Sequence, residues 1–103
     1  MSDDRLWYLA YRKDWPAVHA LLDASSDEVK EQLVTYSNSR GWTAIHRCAA
    51  YGAPAETVHA VLQAGPRGYV NVQTDGGSTP AILAALNGHA DVLRQLINDV
   101  IIQ

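Results

Sequence analysis

Histidine and cysteine are the residues with which this chain would hold a metal ion, and it has four histidines and one cysteine. His46 and Cys48 are two apart, a separation that puts them on different sides of a helix. His19 and His59 occupy matching places in two similar segments and are read as facing outward. His89 follows a glycine. None stands in the CxxC or HxxxH spacing that zinc needs, so no metal site and no cofactor are expected. Gly76-Gly77-Ser78-Thr79-Pro80 has the glycines and the helix start of an anion cradle. It lacks the lysine and the preceding strand of a phosphate-binding loop, and turn geometry accounts for its glycines better. No nucleophile sits in a recognisable triad motif. The expectation is therefore no catalytic residue and no enzyme.

The bulk properties set further limits. With 103 residues the chain is long enough for one small domain and too short for two that fold alone. A hydrophobic share of 48% against 18% charged residues reads as globular rather than disordered. The net charge of −3 offers no basic face for a phosphate backbone, so no nucleic acid is expected. No run of roughly 18 apolar residues exists, so no membrane span is expected either. The start, MSDDRLWYLA, is acidic and has no apolar run with a small-residue cleavage site, so it does not read as a signal peptide. Cys48 has no second cysteine to pair with in the chain, which suits a reducing compartment. The expected location is the cytoplasm, with the nucleus as a second setting.

The elements that would position any site come in copies. Thr43-Ala44-Ile45-His46 and Thr79-Pro80-Ala81-Ile82 lie 36 residues apart. Each has a glycine two positions earlier, Gly41 and Gly77, and another nine positions after its threonine, Gly52 and Gly88. Small residues follow in both, Cys48-Ala49 and Ala84-Ala85. A second echo runs Val18-His19-Ala20-Leu21-Leu22, Val58-His59-Ala60-Val61-Leu62 and, more loosely, Leu93-Arg94-Gln95-Leu96-Ile97. Apolar residues there fall at steps of three and four, which marks one buried helical face.

Local signals predict helix pairs. Thr43 and Thr79 are N-caps, with Pro80 in a first turn that tolerates proline. Gly52 and Gly88 end those helices. Pro54 and Ala90 open second helices that run to about Ala64 and Ile97. In the first copy, helices cover about Asp3 to Arg12 and about Trp15 to Asp23, with Asp14 as N-cap and Pro16 in the first turn. Ser25 and Glu28 have capping-box spacing ahead of Val29 and Leu33, which predicts an extra short helix near 26–34. Gly65 to Gly77, with the extended-type run Tyr69-Val70-Asn71-Val72, predicts a hairpin or long finger. Val100-Ile101-Ile102 is expected to follow the last helix. Folding back over the third copy is its preferred course, pairing with a second chain as a homodimer is another, and a third is that the chain is cut from a longer array.

These residues resemble the ankyrin repeat, whose pattern is roughly G-x-T-P-L-H-x-A-A-x-x-G-H, then V-x-x-L-L, then G-A-D-V-N, with a period near 33. Gly77-Ser78-Thr79-Pro80, Ala84-Ala85, Gly88-His89 and Leu96-Ile97 carry the likeness in the third copy. Gly41, Thr43, Ile45-His46, Ala49, Gly52, Val61-Leu62, Gly65 and Val70-Asn71 carry it in the second. The first is degenerate and keeps Leu6, Ala10, Asp14, Val18 and Leu21-Leu22. The chain departs from the pattern where Ile82 replaces the motif histidine and Ala44 the motif proline. Extra residues near Pro54, near Arg67-Gly68 and after the first copy fall in turns, where insertions cost little.

The resemblance implies an all-α solenoid of stacked helix-turn-helix pairs with protruding β-hairpin or loop fingers. Repeat one would cover about 3–36, repeat two about 37–72 and repeat three about 73–103, with roughly three repeats the practical minimum for burying the apolar faces. It implies structural hydrogen bonds for His46 within and between repeats. Ala49 and Ala85 would be small because neighbouring helices pack closely there. It also implies a protein partner, held by finger tips and the exposed side of each first helix. By motif position those residues are Tyr11 and Arg12 in repeat one, then Ser39, Arg40, Trp42, Ala50 and Tyr51 in repeat two. In repeat three they are Asp75, Gly76, Ser78, Leu86 and Asn87. Tryptophan, tyrosine and arginine are the types most enriched in binding hot spots. Trp7 and Trp15 are assigned mainly to packing within repeat one. The functional expectation is an adaptor, scaffold or targeting module, with an inhibitory or assembly-chaperone subunit as the alternative.

Overall fold

Several helices start at a side chain that accepts a free backbone N–H. The computed structural model describes residues 3–102, with Ile102 by its backbone alone. Helix α1 spans Arg5–Tyr11 and α2 spans Trp15–Asp23. The Asp14 carboxylate accepts the Ala17 N–H at 3.3 Å, and Pro16 lies in the first turn of α2, as the sequence predicts. Helix α3, Asp27–Thr35, is the extra element. Its cap is Ser26, not Ser25: the Ser26 hydroxyl accepts the Val29 N–H at 3.3 Å. Ser25 instead donates its hydroxyl to the Leu21 carbonyl at 2.6 Å, and so closes α2. Helices α4, Ala44–Tyr51, and α5, Ala55–Ala64, form the second pair. Helices α6, Pro80–Leu86, and α7, Ala90–Ile102, form the third, with the Thr79 hydroxyl accepting the Ile82 N–H at 3.2 Å.

The pairs stack in register. Helices α1, α4 and α6 pack side by side in one row, and α2, α5 and α7 form a second row behind them. Helix α3 leans on α1, α4 and α5. The layer between rows holds Leu6, Val18, Leu33, Ile45, Val58, Leu62 and Val92 at essentially no exposure. Ala10, Cys48, Ala49 and Ala84 are buried where first helices meet. The expectation for Ala85 is corrected: it is exposed, because it lies on the side of α6 turned away from α4. Gly41 and Gly52 show how tight the repeat spacing is. Gly41 has φ of 77°, and a Cβ there would come within 2.8 Å of the Asp75 backbone nitrogen. At Gly52, φ 72°, it would come within 2.6 Å of the His89 ring.

The expected β-hairpin fingers are corrected as well. Tyr69–Asn71 forms a short 3-10 turn, and the described residues contain no strand. Tyr69 and Val70 are both buried, whereas a protruding finger strand would alternate one buried and one exposed residue. The Tyr69 hydroxyl donates to the Val34 carbonyl and accepts the Ile45 N–H, so the ring ties the turn to α3 and α4. Two fingertips share one design. Asn38 and Thr74 each donate their N–H to the carbonyl four residues on, at 3.0 and 2.9 Å. Their side-chain oxygens accept the N–H of Trp42 at 2.9 Å and of Ser78 at 3.2 Å. Gly41 and Gly77 supply the left-handed residue of each tip. These are tight turns, each closed by the side chain at its base.

The histidines work between elements. His46 is fully buried. Its Nδ1 accepts the Thr43 N–H at 2.9 Å, so Nε2 carries the proton and donates to the Val72 carbonyl at 2.9 Å. His19 and His59 are only partly exposed, with the His59 side chain 46% exposed, and each ring also bonds to the next second helix. His19 Nε2 meets the Thr57 hydroxyl at 2.8 Å, and His59 Nδ1 meets the buried Asp99 carboxylate at 3.0 Å. Each thus reaches from one second helix to the next. His89 Nε2 donates to the Ala50 carbonyl at 3.1 Å, across the boundary between repeats two and three.

The C-terminal tail also differs from expectation. It neither follows the last helix nor folds back: α7 runs on through Ile102, five residues beyond Ile97. Asp99 explains the extension, because its carboxylate is buried against His59 and draws that turn onto the stack. Ile97, Val100 and Ile101 are left exposed. The side chain of Ile102 lies outside the described residues.

Two measurements test this packing. Ala49→Leu is expected to lower stability in urea unfolding by about 1–3 kcal/mol through overpacking, while Ala85→Leu leaves it nearly unchanged. Equal losses would contradict the assigned faces. Burial holds the His46 imidazole below the usual histidine range, despite the opposing hydrogen bond to Val72. Its neutral form is the folded one, so its stabilisation is present above the unfolded value near 6.5. It is lost as pH falls from there through the lower folded value. Calorimetric melting between about pH 7 and about pH 5 is expected to show a smaller acid-induced drop for His46→Gln than for the parent chain.

Candidate protein-interaction face

Helical spacing brings five side chains of the first row together. Trp7 and Tyr11 are four apart on α1, and Arg47 and Tyr51 are four apart on α4, so each pair shares a face. Trp42 precedes the Thr43 cap and projects beside the same face. The Trp7 and Tyr11 rings stack, with centroids 5.5 Å apart and planes at 6°. Tyr11 and Tyr51 approach across the repeat boundary at 6.5 Å. The Trp7 indole N–H donates to the Trp42 carbonyl at 3.0 Å, which pins the first fingertip to α1.

The Arg47 guanidinium sits inside this group. Its carbon lies 4.4 Å from the Trp42 centroid, 4.8 Å from Trp7, 5.1 Å from Tyr11 and 5.8 Å from Tyr51. One terminal nitrogen donates to the Tyr51 hydroxyl at 3.0 Å. The Nε is buried and has no acceptor among the described residues. No carboxylate of the described residues pairs with this charge. Four π-faces stabilise the cation, but the counter-charge that normally accompanies a partly desolvated guanidinium is missing.

Lys13 adds a second cation, its ammonium 5.1 Å from the Tyr51 centroid. It occupies the turn position held by Gly52 and Gly88 in the other repeats, and its φ of 62° is the only positive value at a non-glycine among the described residues. For an L-residue that conformation costs about 1–2 kcal/mol. Glycine would avoid the cost, so the lysine side chain is held there against a local penalty.

The residues expected from motif position divide into groups. Tyr11, Trp42 and Tyr51 are brought together around Arg47. Arg12 caps the end of α1 and is exposed. Ser39 and Arg40 are exposed in the first fingertip, and Asp75 in the second. The Asp75 N–H donates to the Arg40 carbonyl at 3.0 Å, so the two tips are joined by backbone. Leu86, 75% exposed, and Asn87 lie at the end of α6. The Asn87 amide donates to the Leu83 carbonyl at 2.8 Å, and no hydrogen bond or ring contact links either residue to the aromatic group. Trp7 packs as expected but is also one wall around Arg47. Trp15 is partly buried against the core.

Arg47 itself is absent from the motif positions. Its signal was available in part: an arginine four residues before Tyr51 shares a helical face with it.

The arrangement has the residue types of a recognition surface. Burial pushes the Cys48 thiol up to about 12, so it stays protonated and unreactive. Among the described residues no group of three His, Cys, Asp or Glu side chains is placed to hold a metal. No described helix is long and apolar enough to cross a membrane. A groove runs between Gly52–Ala55 and Gly88–Asn98, and none of the aromatic group borders it. A family model described as ankyrin repeats, in three copies, matches residues 6–103. No curated protein matches the chain.

Proposed function

We propose that this chain, which belongs to the ankyrin-repeat family, is an adaptor or scaffold module that grips a partner protein through the face built by Trp7, Tyr11, Trp42, Arg47 and Tyr51. Ankyrin repeats are generally protein–protein interaction modules and are typically non-enzymatic. The observation that carries the reading is the cluster of four rings around one arginine, in which Trp7 is buried, Trp42, Arg47 and Tyr51 are partly exposed and Tyr11 is exposed. Tyr11 is half exposed although Trp7 stacks on it. Rigid aromatic side chains with an arginine among them are the composition of binding hot spots. Arg12, Ser39, Arg40 and Asp75 border this face as contacts of lesser weight. Leu86 and Asn87 extend it along the third first helix. The cytoplasm is the proposed setting, with the nucleus as a second location.

The test is affinity purification from the native cell with the intact chain and with Trp42→Ala. The Trp42 side chain lies at the surface of the core, so the variant is expected to stay folded by circular dichroism. It is expected to lose the partner, with a drop of about tenfold or more in affinity. Partners recovered equally by both chains would sink the proposed face. Recovery of one stoichiometric enzyme, rather than several unrelated proteins, would favour the inhibitory or assembly-chaperone role over the adaptor.

A second reading has its own observation. Ile97, Val100 and Ile101 leave an apolar strip on α7, which suits pairing of two chains. Sedimentation over a concentration range is expected to show dimers under that reading. A monomer at every concentration would remove it.

A further inference from the structure

We infer that the partner presents an acidic segment, with an aspartate or glutamate carboxylate docking on Arg47 between its aromatic walls. This rests on the interaction face proposed above and assigns the chemistry of what the face binds.

The distribution of charge supports it. The chain is acidic overall, with 11 Asp and Glu against 8 Lys and Arg. Three of the cations are neutralised locally: Arg5 by Asp3, Lys30 by Asp27 and Arg94 by Asp91. Of the five left without an ion pair among the described residues, only Arg67 lies elsewhere, in the turn after α5. Arg47 is inside the aromatic group, and Lys13 lies over Tyr51. Arg12 stands between Tyr11 and Lys13, and Arg40 is two residues before Trp42. Two of the five unpaired cations thus lie against the rings, and two more stand next to ring residues in the chain.

The geometry of Arg47 narrows the ligand. Aromatic faces and the Tyr51 hydroxyl occupy part of its surroundings, and its remaining terminal N–H groups have no acceptor among the described residues. A planar guanidinium held against rings still offers its edge, which matches a carboxylate in the same plane. The surrounding rings lower the local dielectric, and that strengthens the pair once formed. An apolar partner would bury the charge unpaired, at a penalty. A basic partner would be repelled by four cations. Lys13 is a separate observation. A lysine in a left-handed turn, where the other repeats have glycine, is accounted for by a role for its ammonium. Asp14 follows Lys13 in the chain, and its carboxylate is engaged with the Ala17 N–H at the start of α2; Asp75 lies in the second fingertip. Its backbone joins Arg40, while its carboxylate makes no ion pair.

The test is selection of short random displayed peptides on the whole chain. Recovered peptides are then titrated by the fluorescence of Trp7 and Trp42. The expected peptides carry aspartate or glutamate. Their affinity falls on the order of thirtyfold with Arg47→Gln and falls as salt is raised. Since Arg47→Gln disturbs a packed group, Lys13→Gly is the second variant. It relieves backbone strain, so it is expected to melt no lower than the parent yet bind acidic peptides several-fold more weakly. Failure to recover any peptide overturns the inference. So do peptides without carboxylates, or affinities unchanged in Arg47→Gln and Lys13→Gly. Neutral peptides that still depend on Trp42 would overturn the charge assignment alone and leave the interaction face in place. Peptides indifferent to Trp42 as well would overturn both.

Discussion

A buried imidazole needs a partner for each nitrogen, and His46 meets that need with two backbone groups from different segments. The Thr43 N–H reaches its Nδ1, and its Nε2–H reaches the Val72 carbonyl. The first bond fixes the start of α4 and therefore the path of the first fingertip, which ends at Trp42. The second fixes the turn that leads into repeat three. Arg47 is the next residue along the helix, so its direction follows from that of His46. Left without either partner, the ring would be an unsatisfied polar group in a dry core, at about 1–3 kcal/mol. The same side chain thus supports the stack and aims the proposed interaction face.

The other histidines extend the logic from inside a repeat to the boundaries between repeats. His19, His59 and His89 each reach about one repeat along the chain, to Thr57, Asp99 and Ala50. A helix pair that buries only one flank must leave polar groups at that flank, and imidazole is long enough to bridge them. Ile82 supports this account by contrast. It holds the place of His46 in repeat three, where no described finger follows to supply a carbonyl, and it is 45% exposed. Ala85 is exposed for the same reason. The smallness that close packing demands of Ala49 is not demanded one repeat later.

Much of this was legible in the sequence, because helix boundaries are written by local chemistry. Asp14, Pro16, Thr43, Thr79, Gly52 and Gly88 act within three or four residues of themselves, and each does what its type predicts. The parts that escaped depend on distant partners. Tyr69 and Val70 read as an extended run until Val34 and Ile45 bind the tyrosine hydroxyl and turn the segment into a 3-10 helix. Ser25 and Ser26 are equally good caps, and only the geometry at Leu21 decides between them. His19 and His59 look like surface residues by periodicity, since the periodicity of one helix carries no information about the next. For the proposed interaction face, motif position gave Tyr11, Trp42 and Tyr51 but passed over Arg47, because the repeat pattern leaves that position free. Variation at a free position is where one stack differs from another in what it binds.

Stability and recognition pull against each other at the end of α1. Glycine at position 13 would suit the left-handed turn, and glycine is what repeats two and three have there. Lysine accepts the strain and places an ammonium over Tyr51. Arg47 shows the same tension in another form, because a cation whose Nε is buried without an acceptor is poorer for folding than a leucine of similar reach. Two such departures on one face, in a chain whose other helices follow their local rules, are not explained by packing. They are explained if the missing charge arrives with another molecule. The uncompensated guanidinium then lowers the stability of the free chain slightly and raises the selectivity of the bound one, since a partner without a carboxylate leaves the penalty in place.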